Sequence, residues 1–151
     1  MVEVIVVGSR HPCIRCITMR RYVEEIAKEF SGKVTLKYVR PDAEEAKKLG
    51  KVEDGYHISV IENVPHDEEG IIRLNKEIDE LRKDEEKNWS LIQKKMEELE
   101  EKLKPIKEKA VEKKYLMTPV LAVNGKVKCW GYVPSKEKVK EWIKEELQQN
   151  S

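Results

Sequence analysis

Six residues near the start, Val2-Glu3-Val4-Ile5-Val6-Val7, are apolar and β-branched almost without interruption. That is the pattern of a short buried strand. From Cys16 to Phe30 the spacing changes: Ile17, Tyr22, Val23, Ile26, Ala27 and Phe30 mostly fall on one stripe of a helix. Ser31-Gly32 ends that helix. Residues 33–39 then alternate, with Val34, Leu36 and Tyr38 on one face and Thr35, Lys37 and Val39 on the other. This predicts a second strand, stopped by Arg40-Pro41-Asp42. Near the other end, Val120 to Val123 reads as a strand, Asn124-Gly125 as a hairpin turn and Val127 to Tyr132 as the return strand. On that strand Cys129 shares a face with Val127, opposite Lys128. Ser135 then caps a last helix carrying Val139, Trp142, Ile143 and Leu147 at helical spacing.

The middle has another rhythm. Residues 42–49 suggest a short helix, and Tyr56 to Val64 fits no single period. From about Asp67 to Lys104 the chain is Glu, Lys and regularly spaced apolar residues. Ile71, Leu74, Ile78 and Leu81 step 3, 4, 3; Trp89, Ile92, Met96, Leu99, Leu103 and Ile106 step 3, 4, 3, 4, 3. This is a heptad seam, in which Trp89 should pack against something bulky. The step from Leu81 to Trp89 is eight and breaks the phase. Either Arg82 to Asn88 is a turn between antiparallel helices, or one helix runs through with an eleven-residue repeat. The lack of Gly and Pro between Ile71 and Lys104 favours one helix, which Pro105 would kink or end.

Charged residues make up 39% of the 151, and the net charge is +1. Near-neutrality gives no reason to expect nucleic acid or an anionic membrane as a partner. Abundant Lys and Glu fit a thermophilic source, although a long exposed helix raises the same counts. The first apolar run is too short for a signal core and follows Glu3 rather than basic residues. No run approaches the roughly 20 residues that span a bilayer, so a cytoplasmic protein is expected.

Three cysteines are too few for a disulfide scaffold, and two of them stand as Cys13-Ile14-Arg15-Cys16. In a reducing compartment this spacing points to redox or metal chemistry. Cys13 would begin the first helix, where unpaired N–H groups favour a thiolate. Cys16 follows one turn later, within reach of the same substrate sulfur. Arg10, His11 and Arg15 add positive charge, and His11 and Arg15 are the candidates for tuning the thiol pKa.

Around His11-Pro12-Cys13-Ile14-Arg15-Cys16 and along Tyr115-Leu116-Met117-Thr118-Pro119-Val120-Leu121-Ala122-Val123-Asn124-Gly125-Lys126-Val127, the chain resembles the thioredoxin superfamily, particularly its small microbial thioredoxin- and glutaredoxin-like members. The resemblance implies an α/β thioredoxin-like fold, β-α-β then β-β-α, with residues 1–41 and 107–151 as the core. Residues 42–106 would be a long, helical, coiled-coil-like insertion between the second strand and the cis-proline strand. It implies a cis bond before Pro119 and a backbone edge at Thr118 that pairs with substrate. It also implies a thiol–disulfide oxidoreductase with Cys13 as nucleophile and Cys16 as resolving thiol. Such an enzyme would act on a disulfide-containing protein or small molecule, draw electrons from a separate reductase, and need no cofactor and no metal. Two features depart from the family pattern: Val7 stands where thioredoxins carry a buried acid, and the intervening dipeptide is Ile-Arg.

Other assignments remain open. The two thiols could form a soft metal or metalloid site, which His11 and Cys129 could complete. The helical segment could be the working part of a non-catalytic interaction module, a homodimerising coiled coil, or an arm folded on its own domain. Cys129 reads as a small buried hydrophobe, Trp130 and Trp142 as packing residues, and His57 and His66 as surface residues.

Overall fold

A computed structural model describes residues 1–149. Strand β1 (Val2–Val7) leads through a loop into helix α1 (Ile14–Glu29) and returns as strand β2 (Val34–Val39), parallel to β1. Short helix α2 (Glu44–Lys47), strand β3 (Val52–Glu53) and helix α3 (Gly55–Ile61) follow, then helix α4 (Glu68–Leu81), a single 3₁₀ turn (Arg82–Asp84) and helix α5 (Glu85–Lys113). Strands β4 (Leu116–Met117), β5 (Val120–Val123) and β6 (Lys126–Trp130) precede helix α6 (Lys136–Gln149). Four strands make one sheet in the order β2-β1-β5-β6, and β3 pairs parallel with β4 beside it.

Both faces of the sheet are covered, as alternating burial requires. On one face Val2, Val4, Val6, Leu121 and Val123 pack under Met19, Val23 and Ile26 of α1 and Val139 and Ile143 of α6. On the other, Ile5, Val7, Val120 and Ala122 meet Ala46 and Val52. The Asn124-Gly125 turn is tied to β1: the Asn124 side chain accepts from the Glu3 N–H at 2.9 Å. Both turn residues take the positive φ that such a hairpin needs. Ser135 caps α6 as expected, its hydroxyl accepting from the Lys138 N–H at 3.2 Å.

The expected face of Cys129 is corrected. A bulge breaks the β5–β6 register between Leu121 and Ala122, pairing Cys129 with Leu121 and Val127 with Ala122. One extra residue reverses the alternation, so Cys129 enters the core while Val127 is exposed.

The single continuous helix favoured by the heptads is also corrected. The chain reverses at the 3₁₀ turn, and α4 and α5 form an antiparallel hairpin. Lys102 meets Asp67 at 2.7 Å and Lys95 meets Glu77 at 3.1 Å, pairings that only reversal allows. Asn88 donates to the Leu81 carbonyl at 3.0 Å, and Asp84 caps α5 by accepting from the Lys87 N–H. Polar side chains thus make the turn without Gly or Pro. The two half-seams face each other: Ile71, Leu74 and Ile78 pack with Ile92, Leu99, Leu103 and Ile106. Trp89, placed in the seam by spacing, lies at the turn and is exposed. Pro105 does not end α5, which continues to Lys113. It lies on the exposed side of the helix, where water can take the carbonyl its ring leaves unbonded.

The hairpin cluster also contains Ile14 and Met117. Packing is therefore continuous from the hairpin to the start of α1 and to the strand before Pro119.

Candidate active site

Cys13 is the N-cap of α1, in extended conformation, and its sulfur accepts from the Cys16 N–H at 3.2 Å. A thiol here does what Ser or Asp does at most helix starts, and a thiolate does it better because the helix N-terminus favours negative charge. The hydrogen bond from the Cys16 thiol is the largest influence on Cys13. Together with the Arg15 charge and the helix amides, it overcomes desolvation and draws the thiol down to about 7. Cys16 is fully buried, and its sulfur accepts from the Ser9 N–H at 3.4 Å. Desolvation first, then the neighbouring Cys13, push its pKa well up. Two adjacent thiols are thereby held in different protonation states.

Arg15 is the cation that bears on this pair. Its side chain is buried, yet it donates to the Gly131 carbonyl at 2.6 Å, to the Thr118 carbonyl at 3.3 Å and to Glu100 at 3.0 Å. One guanidinium thus ties α1 to α5, to the turn before Pro119 and to the end of β6. Burial alone would weaken its charge, but Glu100 and the two thiols hold its pKa up. His11, the other proposed tuning residue, turns its ring to Tyr56 at 4.8 Å and to His57 at 5.6 Å between centroids.

The Thr118–Pro119 bond is cis. The backbone edge at Thr118, expected to pair with substrate, has partners within the chain. The Thr118 N–H donates to the Glu53 carbonyl at 3.1 Å, continuing the β3–β4 pairing, and the Thr118 carbonyl accepts from Arg15. Thr118 itself is buried. Sequence spacing hid this because β3 is two residues long and carries no strand pattern.

Several groups at the site gave no sequence signal. Asn75 of α4 accepts from the Ile14 N–H at 2.8 Å, so the hairpin supplies a cap to the helix that carries Cys13. Beside the site, Arg10 pairs with Glu53 and Asp54. Desolvation pushes the buried Asp54 up, but bonds from His57 and Arg10 outweigh it and hold the acid low. The surface assignment holds for His57 and is corrected for His66. His57 is half-buried, with Nδ1 2.8 Å from Asp54. His66 is largely covered and bonded to Glu68 and to the Val64 carbonyl.

His11, Asp54 and His57 bring three possible metal ligands within 4.8 Å of one another. The Arg10 guanidinium already lies among them, 2.8 Å from Asp54 and 3.3 Å from His57, so a cation is built into the cluster. Neither Cys13 nor Cys16 belongs to a three-ligand group among the described residues. Cys129 is in the sheet core, where desolvation pushes its thiol up to about 12 against a small opposing effect of Lys107.

A cavity of about 640 Å³ opens beside Cys13. Its walls come from the start of α1, from α3 and from both hairpin helices, and include Ile14, Ile17, Tyr56, Ile71, Ile72 and Leu103. No helix among the described residues is long and apolar enough to cross a membrane.

A family model described as a thioredoxin domain matches residues 85–144. The match runs from the start of α5 through the cis-proline turn and the β5–β6 hairpin into α6, and does not reach Cys13 or Cys16. No curated protein and no solved structure matches the chain.

Proposed function

Because the chain belongs to the thioredoxin superfamily, we propose that it is a thiol–disulfide oxidoreductase using Cys13 and Cys16. The observation that carries this reading is the split between the two thiols, one drawn down to about 7 at a helix N-terminus and the other buried and held protonated. Nucleophilic attack needs a thiolate, and resolution needs a second thiol that stays silent until called on.

The Cys13 thiolate attacks one sulfur of a substrate disulfide. The substrate S–S bond breaks, and its electron pair leaves on the departing sulfur, which takes a proton from water. Once Cys13 is in the mixed disulfide its negative charge is gone, so one of the influences holding Cys16 protonated disappears. Cys16 gives up its proton to solvent and attacks the Cys13 sulfur, expelling the second substrate thiolate. Two electrons have passed to substrate, and Cys13–Cys16 is a disulfide. A separate reductase would restore the dithiol; the reverse sequence oxidises a substrate dithiol.

In this reading residues 1–41 and 107–151 are the redox core, residues 42–106 are the helical addition, and the protein works in the cytoplasm. A redox titration in a dithiol buffer series, with trapped thiols located by mass spectrometry, should show Cys13 and Cys16 converting together in one reversible two-electron step. A Cys16→Ser variant should accumulate the mixed disulfide at Cys13. If no Cys13–Cys16 disulfide forms at any poise, or the variant releases substrate as fast as the parent, the reading is wrong.

A further inference from the structure

Resting on that reading, we propose that the substrate is a small-molecule disulfide with an uncharged, apolar body, seated in the cavity between α1 and the helical hairpin, rather than an extended polypeptide paired along the Thr118 edge.

Two independent observations meet here. The first is the state of the edge. An incoming strand needs free backbone groups, but the Thr118 N–H is bonded to the Glu53 carbonyl, and its carbonyl holds the buried Arg15. Glu53 is itself anchored by Arg10, so this strap is fastened at its side chain as well as its backbone. Strand addition would have to break a backbone bond and disturb a buried guanidinium.

The second is the cavity. Its volume of about 640 Å³ lies in the range of small-molecule sites. Cys13 is part of its wall, so a molecule held there presents its sulfur to the nucleophile. Ile14 and Ile17 of α1 and Ile71 and Ile72 of α4 line it. Ile17 and Ile72 are 42% and 48% exposed, which leaves apolar surface that an apolar ligand would remove from water.

The chemistry is one exchange. The Cys13 thiolate attacks the sulfur bearing the apolar group, that group becomes the mixed disulfide, and the other half leaves as a thiolate. Cys16 then expels the apolar thiol and closes the Cys13–Cys16 disulfide, and an added dithiol reduces it.

The test uses the full-length protein and two probes with one leaving group, benzyl 2-pyridyl disulfide and 2-hydroxyethyl 2-pyridyl disulfide. Release of pyridine-2-thione is followed by absorbance, and each rate is divided by that of the same probe with free 2-mercaptoethanol. The parent should prefer the benzyl probe by about ten-fold or more, equivalent to about 1.4 kcal/mol. Ile72→Glu on one wall and Ile17→Glu on the other should each cut that preference to below about three-fold. Both side chains are already half exposed, so the fold tolerates the change. Insulin reduction, divided in the same way by its rate with free 2-mercaptoethanol, should be accelerated less than the benzyl probe. A normalised preference near one, an unchanged preference in both variants, or a greater acceleration of insulin reduction overturns the proposal. The parent's redox titration separates the two levels: a normal Cys13–Cys16 step with no benzyl preference sinks the substrate class alone, whereas absence of that step sinks the oxidoreductase reading.

Discussion

Replacing Arg15 with Met should change the acid–base behaviour of Cys13 in a way that reverses sign with pH. Cys13 sits at about 7 against an ordinary thiol value of 9.0, and the Arg15 charge is one of the influences holding it down. Loss of a neighbouring positive charge raises an acid by roughly one to three pKa units. Taking the low end, Cys13 moves from about 7 to about 8. The thiolate fraction at about pH 6 then falls about nine-fold. A more basic thiolate is more nucleophilic, by about three-fold for that change. The product is an alkylation rate about three-fold slower at about pH 6 and about 2.5-fold faster at about pH 9, with a crossing between about pH 7 and 8. The assay is iodoacetamide alkylation of the reduced protein, with Cys13 quantified by mass spectrometry. Arg15→Lys keeps a charge and should stay close to the parent profile. The Met variant also leaves the Gly131 and Thr118 carbonyls without their donor. At about 1–3 kcal/mol for each, this lowers the melting temperature by about 10 °C, so the assay belongs well below that transition. If the Met profile keeps its midpoint near 7, Arg15 does not hold the thiolate and the electrostatic reasoning fails.

Two further predictions concern the rest of the chain. Cys129, pushed up to about 12 by burial, should resist iodoacetamide at about pH 8 in the folded protein and react fully in denaturant; equal labelling in both would mean the bulge does not seat it in the core. Ile78→Ala removes a fully buried side chain from the hairpin interior and should cost about 3 kcal/mol by urea melting, while a loss under about 0.5 kcal/mol would mean that the two half-seams do not pack.

How far the sequence could be read depended on whether a structure was made by periodicity or by encounter. Strand β1 and the Asn124-Gly125 hairpin were legible because one-dimensional patterns specify them: alternation, β-branching and a turn residue with the right φ. The Cys13–Cys16 pair was legible through helix-start chemistry, and Arg15 through its place between the thiols. The hairpin turn stood only as the less favoured of two alternatives because its stop signals are polar contacts, Asn88 to Leu81 and the Lys87 N–H to Asp84, rather than Gly or Pro. The bulge that reverses Cys129 lies in one residue of register, below the resolution of alternation. Asn75 and Glu53 come from segments far from Cys13 in sequence, and nothing local marks either as part of the site.

The antiparallel course of α4 and α5 also governs how the chain can assemble. Val7 pairs with Val120 across the whole middle segment, so the central sheet closes only after a large loop has been drawn together. That closure grows only logarithmically with loop length, by about 0.6 kcal/mol per doubling. The hairpin brings Asp67 back beside Lys102 through pairings much closer in sequence than Val7 and Val120, and such contacts form faster than remote strand pairing. A segment that looks like a burden on the fold is instead a self-closing spacer. It delivers β5 back toward β1 and lets the length of the middle region change with little penalty to the sheet, provided its two helices still pair.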